Sequence, residues 1–199
     1  MVVRPAREPG GPGVQVLVLR RSGASRFAPG FVVFPGGRVE PADDRLAAAW
    51  FGDPAERARA CAVRELAEET GLVLTRDGLV EARGLPGPAG LPPPEASSLS
   101  EVARWVAPEF LPVRFDARFF ALAVGGDVRP RPDGVETDRA WWGDPADVLD
   151  QARAGRFPLM WPTLNMLEAL AGCRSVQDVL DLRVDQVAPP MAAPPPGRP

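Results

Sequence analysis

Three glutamates lie close together in a segment with high helical propensity. Glu65, Glu68 and Glu69 fall within residues 64–72, which have the sequence RELAEETGL. On an α-helix, positions i, i+3 and i+4 share one face, and Arg64 can pair with Glu68 four residues later. Clustered carboxylate oxygens favour a hard divalent cation. The spacing therefore predicts a metal site; the simpler interpretation is a solvated acidic helix face.

The composition restricts the chemistry of this segment. The 199 residues include no His, and each basic side chain is Arg. Without His, the Ser-His-Asp and Cys-His mechanisms and the usual zinc sites are excluded, so acid–base and metal chemistry must depend largely on carboxylates. The two cysteines, Cys61 and Cys173, are interpreted as buried or half-buried thiols, because two isolated cysteines do not make a disulfide framework.

The net charge and the hydropathy of the chain indicate which partners and which cellular location to expect. The formal net charge of -3 argues against a general nucleic-acid binder, which normally carries a basic excess. We find no apolar run of about 18 residues and no apolar signal-peptide core near the N-terminus. The sequence thus predicts a cytoplasmic chain with a small-molecule partner, no nucleic acid and no membrane, and it is compatible with a homodimer.

The helix that positions the glutamates has clear boundaries in the sequence. Asp53 can cap it, Pro54 suits the first turn, and Glu56 is placed to complete a capping box. The helix is predicted to run to Thr70 and to end at Gly71, since Gly adopts the left-handed C′ conformation readily.

The remaining segments alternate between strand and helix patterns, which implies α/β layers. We predict an α/β domain over residues 14–184, preceded by a flexible arm (1–13) and followed by a disordered Pro/Ala-rich tail (185–199). The predicted strands are 14–19, 31–34, 72–75, a segment within 111–124, and 135–142; the predicted helices besides the glutamate helix are 43–51, 98–105, 144–154, 162–171 and 175–182; residues 84–96 are predicted to form a loop.

The glutamate segment resembles the Nudix box, G-x5-E-x7-R-E-U-x-E-E-x-G-U with U apolar. From Glu56 onward the match is complete, and the preceding Phe34-Pro35-Gly36-Gly37 resembles the start of the box. The departure is that 18 residues separate Gly37 from Glu56, where the box has five. Asp43 stands at the normal distance from Gly37, so residues 44–55 look like an insertion, and Glu56 is either a box residue or only a cap.

A narrower resemblance extends over residues 14–171. It is to the branch of coenzyme A (CoA) diphosphatases typified by a mammalian peroxisomal enzyme, and it rests on residues 21–30, 32–37, 105–109, 114–120 and 136–142. The resemblance implies an α/β fold: a Nudix-type α/β/α sandwich with a mixed β-sheet and the Nudix loop-helix-loop.

The resemblance also assigns roles to residues. It implies Mg²⁺, with Mn²⁺ as an alternative, bound by Glu65, Glu68, Glu69 and the Gly37 carbonyl, with Arg64 orienting the carboxylates. The general base is either a box glutamate or an acidic residue of a later loop, for which Glu136 is the candidate. The substrate-binding candidates, cations for phosphate and a ring for adenine, are Arg26, Arg114, Arg118 and Phe119.

Three functions remain open from the sequence. The first is hydrolysis of CoA or acyl-CoA to 3′,5′-ADP and a 4′-phosphopantetheine species. The second is hydrolysis of ADP-ribose, NADH or a nucleoside-diphosphate sugar. The third is a Nudix-like domain that binds a nucleotide as a regulator without hydrolysis; the retention of all three box glutamates favours an enzyme.

Overall fold

A computed structural model describes residues 1–6, 13–25, 27–82, 93–107 and 115–187. Its strands are β1 (Val2–Pro5), β2 (Val14–Arg21), β3 (Val32–Val33), β4 (Leu72–Thr75), β5 (Gly78–Glu81), β6 (Ser100–Val106), β7 (Asp116–Ala123) and β8 (Thr137–Gly143). Its α-helices are α1 (Pro41–Phe51), α2 (Arg57–Thr70), α3 (Pro145–Arg153), α4 (Trp161–Ala171) and α5 (Val176–Leu180).

The central strand of the fold is β2, whose apolar run is buried on both faces. Strands β1 and β3 pair antiparallel with one edge of β2, and β8 pairs antiparallel with the other. Strand β1 also pairs parallel with β7, which pairs antiparallel with β6, so the sheet is mixed. Strands β4 and β5 form a separate antiparallel hairpin.

Alternate residues of β2 point into two separate cores, as the period of two in a strand requires. Val16 and Val18 pack with Met166 and other residues of α3 and α4. Leu17 packs on the opposite side, with Val63 and Leu66 of α2 among its neighbours. Helices therefore cover both faces of a mixed sheet, and the predicted α/β/α sandwich is confirmed.

The structure corrects the prediction of a flexible N-terminal arm over residues 1–13. Val2–Pro5 is strand β1, with Val2 and Val3 buried between β2 and β7. Pro, Gly and Arg are frequent in residues 1–13, and the short Val-Val pair is held as a strand by pairing with β2 and β7. The tail boundary is also corrected at its start, because Gln186 donates from Nε2 to the Val106 carbonyl at 2.7 Å. Residues 7–12 and 188–199 lie outside the described ranges.

The predicted helix over residues 98–105 is wrong. Ser100–Val106 is strand β6, paired in antiparallel register with β7. The Glu, Ala and Arg residues of this segment have high helical propensity, but pairing with β7 and burial of Val102 and Trp105 override the local preference. Most of the predicted loop at 84–96 lies outside the described residues.

The other predicted elements are observed, with shifted ends. Gly71 ends α2 at a φ of 64° and β4 follows, as the sequence indicated. The start of α2 differs. Asp53 accepts from the Ala55 amide to cap a short 3₁₀ turn, Pro54–Glu56, and α2 begins at Arg57. Glu56 pairs with Arg59 and forms no capping box. In the described ranges, no helix has the length and apolarity to cross a bilayer.

Candidate active site

Helix α2 presents its glutamates from a face opposite to the one that anchors it. Ala60, Val63 and Leu66 are buried in the core, which fixes the rotation of the helix about its axis. Glu68 consequently faces solvent, with 58% of its side chain exposed, whereas Glu69 is only 4% exposed. Glutamates that the i, i+3, i+4 spacing predicts on one side of α2 therefore differ strongly in burial.

The loop that follows β3 lies directly against this helix. The amide of Gly36 donates to Glu69 Oε2 at 2.9 Å. At Gly37, a Cβ atom would stand only 2.3 Å from Glu65 Oε1, so a glycine is required there for Glu65 to keep its position. Cys61 Sγ lies 3.8 Å from the Gly37 carbonyl oxygen. Gly36 and Gly37 therefore form one site with the glutamates of α2, although Gly37 and Glu65 are 28 residues apart in sequence.

Arg64 joins the carboxylates of this site. Its Nη1 donates to Glu65 Oε1 at 2.9 Å and to Glu68 Oε2 at 2.8 Å. Its Nε and Nη2 donate to the two oxygens of Asp43 at 2.9 and 3.2 Å. The predicted pairing of Arg64 with Glu68 is confirmed, and such a forked arrangement fixes the guanidinium plane.

Asp43 is the site residue that the sequence argument did not assign. It has no exposed surface and lies in the first turn of α1, where it also accepts from the Glu40 amide at 2.8 Å. Burial alone would raise the pKa of Asp43, but the hydrogen bonds from Arg64 and Glu40 outweigh it and the pKa lies below its ordinary value. The available signal was its normal box distance from Gly37, which Glu56 lacks.

The site resists accumulating negative charge by itself. Burial is the main cause that raises the pKa of Glu69 to about 7; the charges of Glu65 and Glu136 add to it, and the hydrogen bond from Gly36 opposes it. Burial likewise raises the pKa of Glu65, to which Glu68 and Glu136 also contribute. Carboxylates with raised pKa values at neutral pH gain from a nearby cation. Among the described residues, no three acidic or cysteine side chains already converge as a cation cage.

Glu136 lies at the end of the loop before β8, on the same side as the α2 glutamates. Its Oε2 is 3.9 Å from Arg21 Nη2, and 64% of its side chain is exposed. Its negative charge contributes to the raised pKa values of Glu65 and Glu69. The residue that follows Glu136 also adjoins α2, because Thr137 Oγ1 lies 3.5 Å from the Glu69 carbonyl oxygen.

A cavity of about 850 Å³ opens beside the site. Gly36, Gly37 and Cys61 line one wall. Gly36 and Gly37 adjoin Glu69 and Glu65, but the described lining residues do not include Glu65, Glu68 or Glu69. The other walls come chiefly from α2, β6, β7 and the loops near β3, and they carry Arg57, Arg104, Arg118, Phe34, Phe115 and Phe119.

Two of the four predicted substrate-binding residues line this cavity. Arg118 donates from Nε to Glu101 Oε1 at 2.9 Å, and Phe119 makes an edge-to-face contact with Phe34 at 6.4 Å between ring centroids. The other two, Arg26 and Arg114, lie outside the described residues. The predicted burial of both cysteines is confirmed.

Comparison with known proteins agrees with this architecture. A model of the NUDIX domain matches residues 2–160. The crystal structure of a NUDIX hydrolase from Alicyclobacillus acidocaldarius superimposes with a TM-score of 0.75 at 32% identity, covering 92% of this chain and 93% of that one. The Caenorhabditis elegans protein named nudix hydrolase 7 is 29% identical over 174 residues, 79% of this chain and 56% of that protein. This chain thus spans little more than half the length of that relative. With the domain match covering most of its length, the chain belongs to the Nudix hydrolase family.

Proposed function

We propose that this chain hydrolyses a diphosphate linkage in a nucleotide-type metabolite, with CoA or an acyl-CoA as the substrate. The observation that carries the proposal is that Gly37, which leaves room for Glu65, lines the same cavity as several arginines and phenylalanines. Cations for phosphate and rings for a base or apolar group are thereby available to one ligand. The carboxylates that would hold a metal adjoin Gly36 and Gly37 in the wall of this cavity. The products would be 3′,5′-ADP and a 4′-phosphopantetheine species.

The metal of the proposal is Mg²⁺, with Mn²⁺ as the alternative. Glu65, Glu68, Glu69 and the Gly37 carbonyl would hold it, and all of these donors are hard oxygens. The fit is supported by Gly37, whose missing side chain leaves room for the Glu65 carboxylate. When bound, the ion supplies charge neutralisation for the diphosphate and activates water.

The residues around the carboxylates have separate tasks in this proposal. Arg64, itself fixed by the buried Asp43, holds Glu65 and Glu68 in one orientation. The Gly36 amide fixes Glu69. Glu136 acts as the general base, taking a proton from the attacking water on a carboxylate oxygen; a box glutamate is the alternative base. As the new P–O bond forms, the bridging P–O bond breaks and the leaving phosphate takes the electron pair.

The size and chemistry of the cavity support a large substrate. Binding clefts for small molecules measure about 300–1,000 Å³, and this one, at about 850 Å³, is near the upper end. Arg118 would bind a phosphate by its forked guanidinium, and Phe119 would contact the adenine. ADP-ribose and NADH share the adenosine diphosphate moiety, so they are the substrates against which CoA must be tested.

The test is a Mg²⁺-dependent assay of the purified chain with CoA, acetyl-CoA, ADP-ribose and NADH, with products identified by mass. We expect the highest kcat/KM with CoA or acetyl-CoA, and loss of turnover in Glu69→Gln. Glu168→Gln is the matched control, because Glu168 lies on α4, which covers the opposite face of the sheet. A higher kcat/KM with ADP-ribose would refute the CoA assignment alone. Tight nucleotide binding without turnover of any of the four would refute hydrolysis and support a regulator.

A further inference from the structure

The loop that carries Glu136 is folded around a second carboxylate, that of Asp133. Asp133 Oδ1 accepts from the amides of Val135 at 3.1 Å and Thr137 at 2.8 Å, and from Thr137 Oγ1 at 3.0 Å. The Glu136 amide lies 3.1 Å from both oxygens of Asp133. Gly134, at a φ of 77°, donates back to the Thr137 carbonyl at 2.9 Å. One side chain therefore organises the backbone on both sides of Glu136.

This turn is also attached to the sheet on the side of the active site. Ser22 donates from its amide to the Glu136 carbonyl at 2.8 Å and from Oγ to the Val135 carbonyl at 2.9 Å. Thr137 Oγ1 lies 3.5 Å from the carbonyl oxygen of Glu69. The turn thus has a defined position relative to both β2 and α2.

Packing of apolar side chains does not account for the fixed backbone conformation of this turn. Val135 is 74% exposed, and most of the Glu136 side chain is exposed as well. Hydrogen bonds centred on Asp133, and not burial of apolar side chains, hold this segment. The arrangement fixes the backbone from which the Glu136 side chain extends towards Arg21, in a turn that adjoins α2 through Thr137.

We propose that Asp133 is a positioning residue for the hydrolytic reaction, acting through Glu136. By fixing the backbone of residues 135–137, it keeps the Glu136 carboxylate within reach of the water that attacks the diphosphate. The inference rests on the proposed function and extends it to a residue outside the Nudix box. A displacement of about 1 Å in a reacting group can lower a rate about 100-fold, so the fixed turn matters to kcat more than to substrate binding.

The kinetic test is a double-mutant cycle with CoA, or with whichever substrate the panel selects. Asp133→Ala should lower kcat about 10- to 100-fold with little change in KM. Asp133→Asn keeps one acceptor oxygen and should restore part of kcat. In a Glu136→Gln background, Asp133→Ala should have no further effect on kcat, because its partner is already gone. Asp138→Ala is the matched control, since this carboxylate pairs with Arg20 on the exposed surface.

A second measurement does not need turnover. Amide hydrogen exchange of residues 135–137 should be accelerated in Asp133→Ala and remain close to wild type in Asp133→Asn and in Asp138→Ala. Unchanged exchange in Asp133→Ala would overturn the inference whatever the substrate. The inference would also be overturned if Asp133→Ala lowered kcat equally in the wild-type and Glu136→Gln backgrounds, or if Glu136→Gln kept the kcat of the wild type. The proposed hydrolysis would still stand in these cases, provided that the wild-type chain turns over the substrate.

Discussion

Replacing Glu69 by Gln should stabilise the metal-free protein at neutral pH. Glu69 is almost fully buried, and this burial raises its pKa to about 7, compared with 4.5 for an ordinary glutamate. A carboxyl group whose folded pKa is raised favours the folded state while it is protonated. Its stabilisation is complete below the unfolded pKa and is lost as the pH rises through the folded pKa. Gln stays neutral at every pH and can still accept from the Gly36 amide.

The size of the effect follows from the two pKa values. Their difference corresponds to about 3 kcal/mol, so the Gln variant should exceed wild type by about 3 kcal/mol at pH 8 and match it near pH 4.5. For a domain of this length, that is a rise in Tm of about 6–12 °C. Mg²⁺ should reverse the order, because a bound cation stabilises the wild-type carboxylate and the Gln variant has lost a ligand.

The assay is urea unfolding in EDTA from pH 4.5 to pH 8, repeated with Mg²⁺. The chain contains no His, which removes the usual titration in this range. Burial lowers the pKa of the Met1 amine to about 5. That amine adds stability as the pH rises, with a sign opposite to that of Glu69. Wild type and Glu69→Gln share this amine, so its contribution cancels in the difference between their free energies of unfolding. That difference is the quantity to measure.

Glu68→Gln is the matched control for this experiment. Its side chain is mostly exposed, so removal of its charge should change the metal-free stability by less than about 1 kcal/mol. The raised pKa of Glu69 would be refuted if Glu69→Gln were no more stable than wild type at pH 8 in EDTA. It would also be refuted if the difference in free energy of unfolding between them did not depend on pH.

Three further predictions concern the neighbours of this site. Gly37→Ala should weaken Mg²⁺ binding in calorimetry without altering the far-UV circular dichroism, because the new Cβ would stand 2.3 Å from Glu65 Oε1. Asp43→Ala should lower the free energy of unfolding by about 1.5–3 kcal/mol, since it removes the buried acceptor of two Arg64 hydrogen bonds while Glu65 and Glu68 still pair with Arg64, whereas Glu56→Ala should lower it by about 1 kcal/mol or less. Arg118→Ala should raise KM about 10-fold or more for a substrate whose phosphate it binds, with little change in kcat.

Each of these predictions has a control in the same chain. A Cβ at Gly125 would meet no atom within 4 Å, so Gly125→Ala should bind Mg²⁺ like wild type. Arg153→Ala removes an exposed arginine of α3, outside the cavity lining, and should leave KM unchanged. Equal unfolding energies for Asp43→Ala and Glu56→Ala would contradict the assignment of Asp43 as the partner of Arg64.

The parts of the fold that local sequence determines were predicted from it. The i, i+3, i+4 spacing, the left-handed Gly71 and the apolar face of α2 are properties of one helix, and the structure agrees with them. Strands β1 and β6 could not be predicted in the same way. Each is held by pairing with β7, and in β1 by pairing with β2 as well, so their conformation depends on residues far away in sequence.

The interval between Gly37 and α2 contains helix α1 and a short 3₁₀ turn. The predicted helix at 43–51 is observed as α1, and it packs beside α2. Asp43 lies in its first turn, still at the normal distance from Gly37, and binds Arg64 there. Residues 44–55 follow the contact that joins this segment to α2, and the chain enters α2 through a short capped turn. Because the Asp43–Arg64 ion pair is made in the first turn of α1, the rest of α1 can follow it without displacing Glu65 or Glu69 from Gly36 and Gly37.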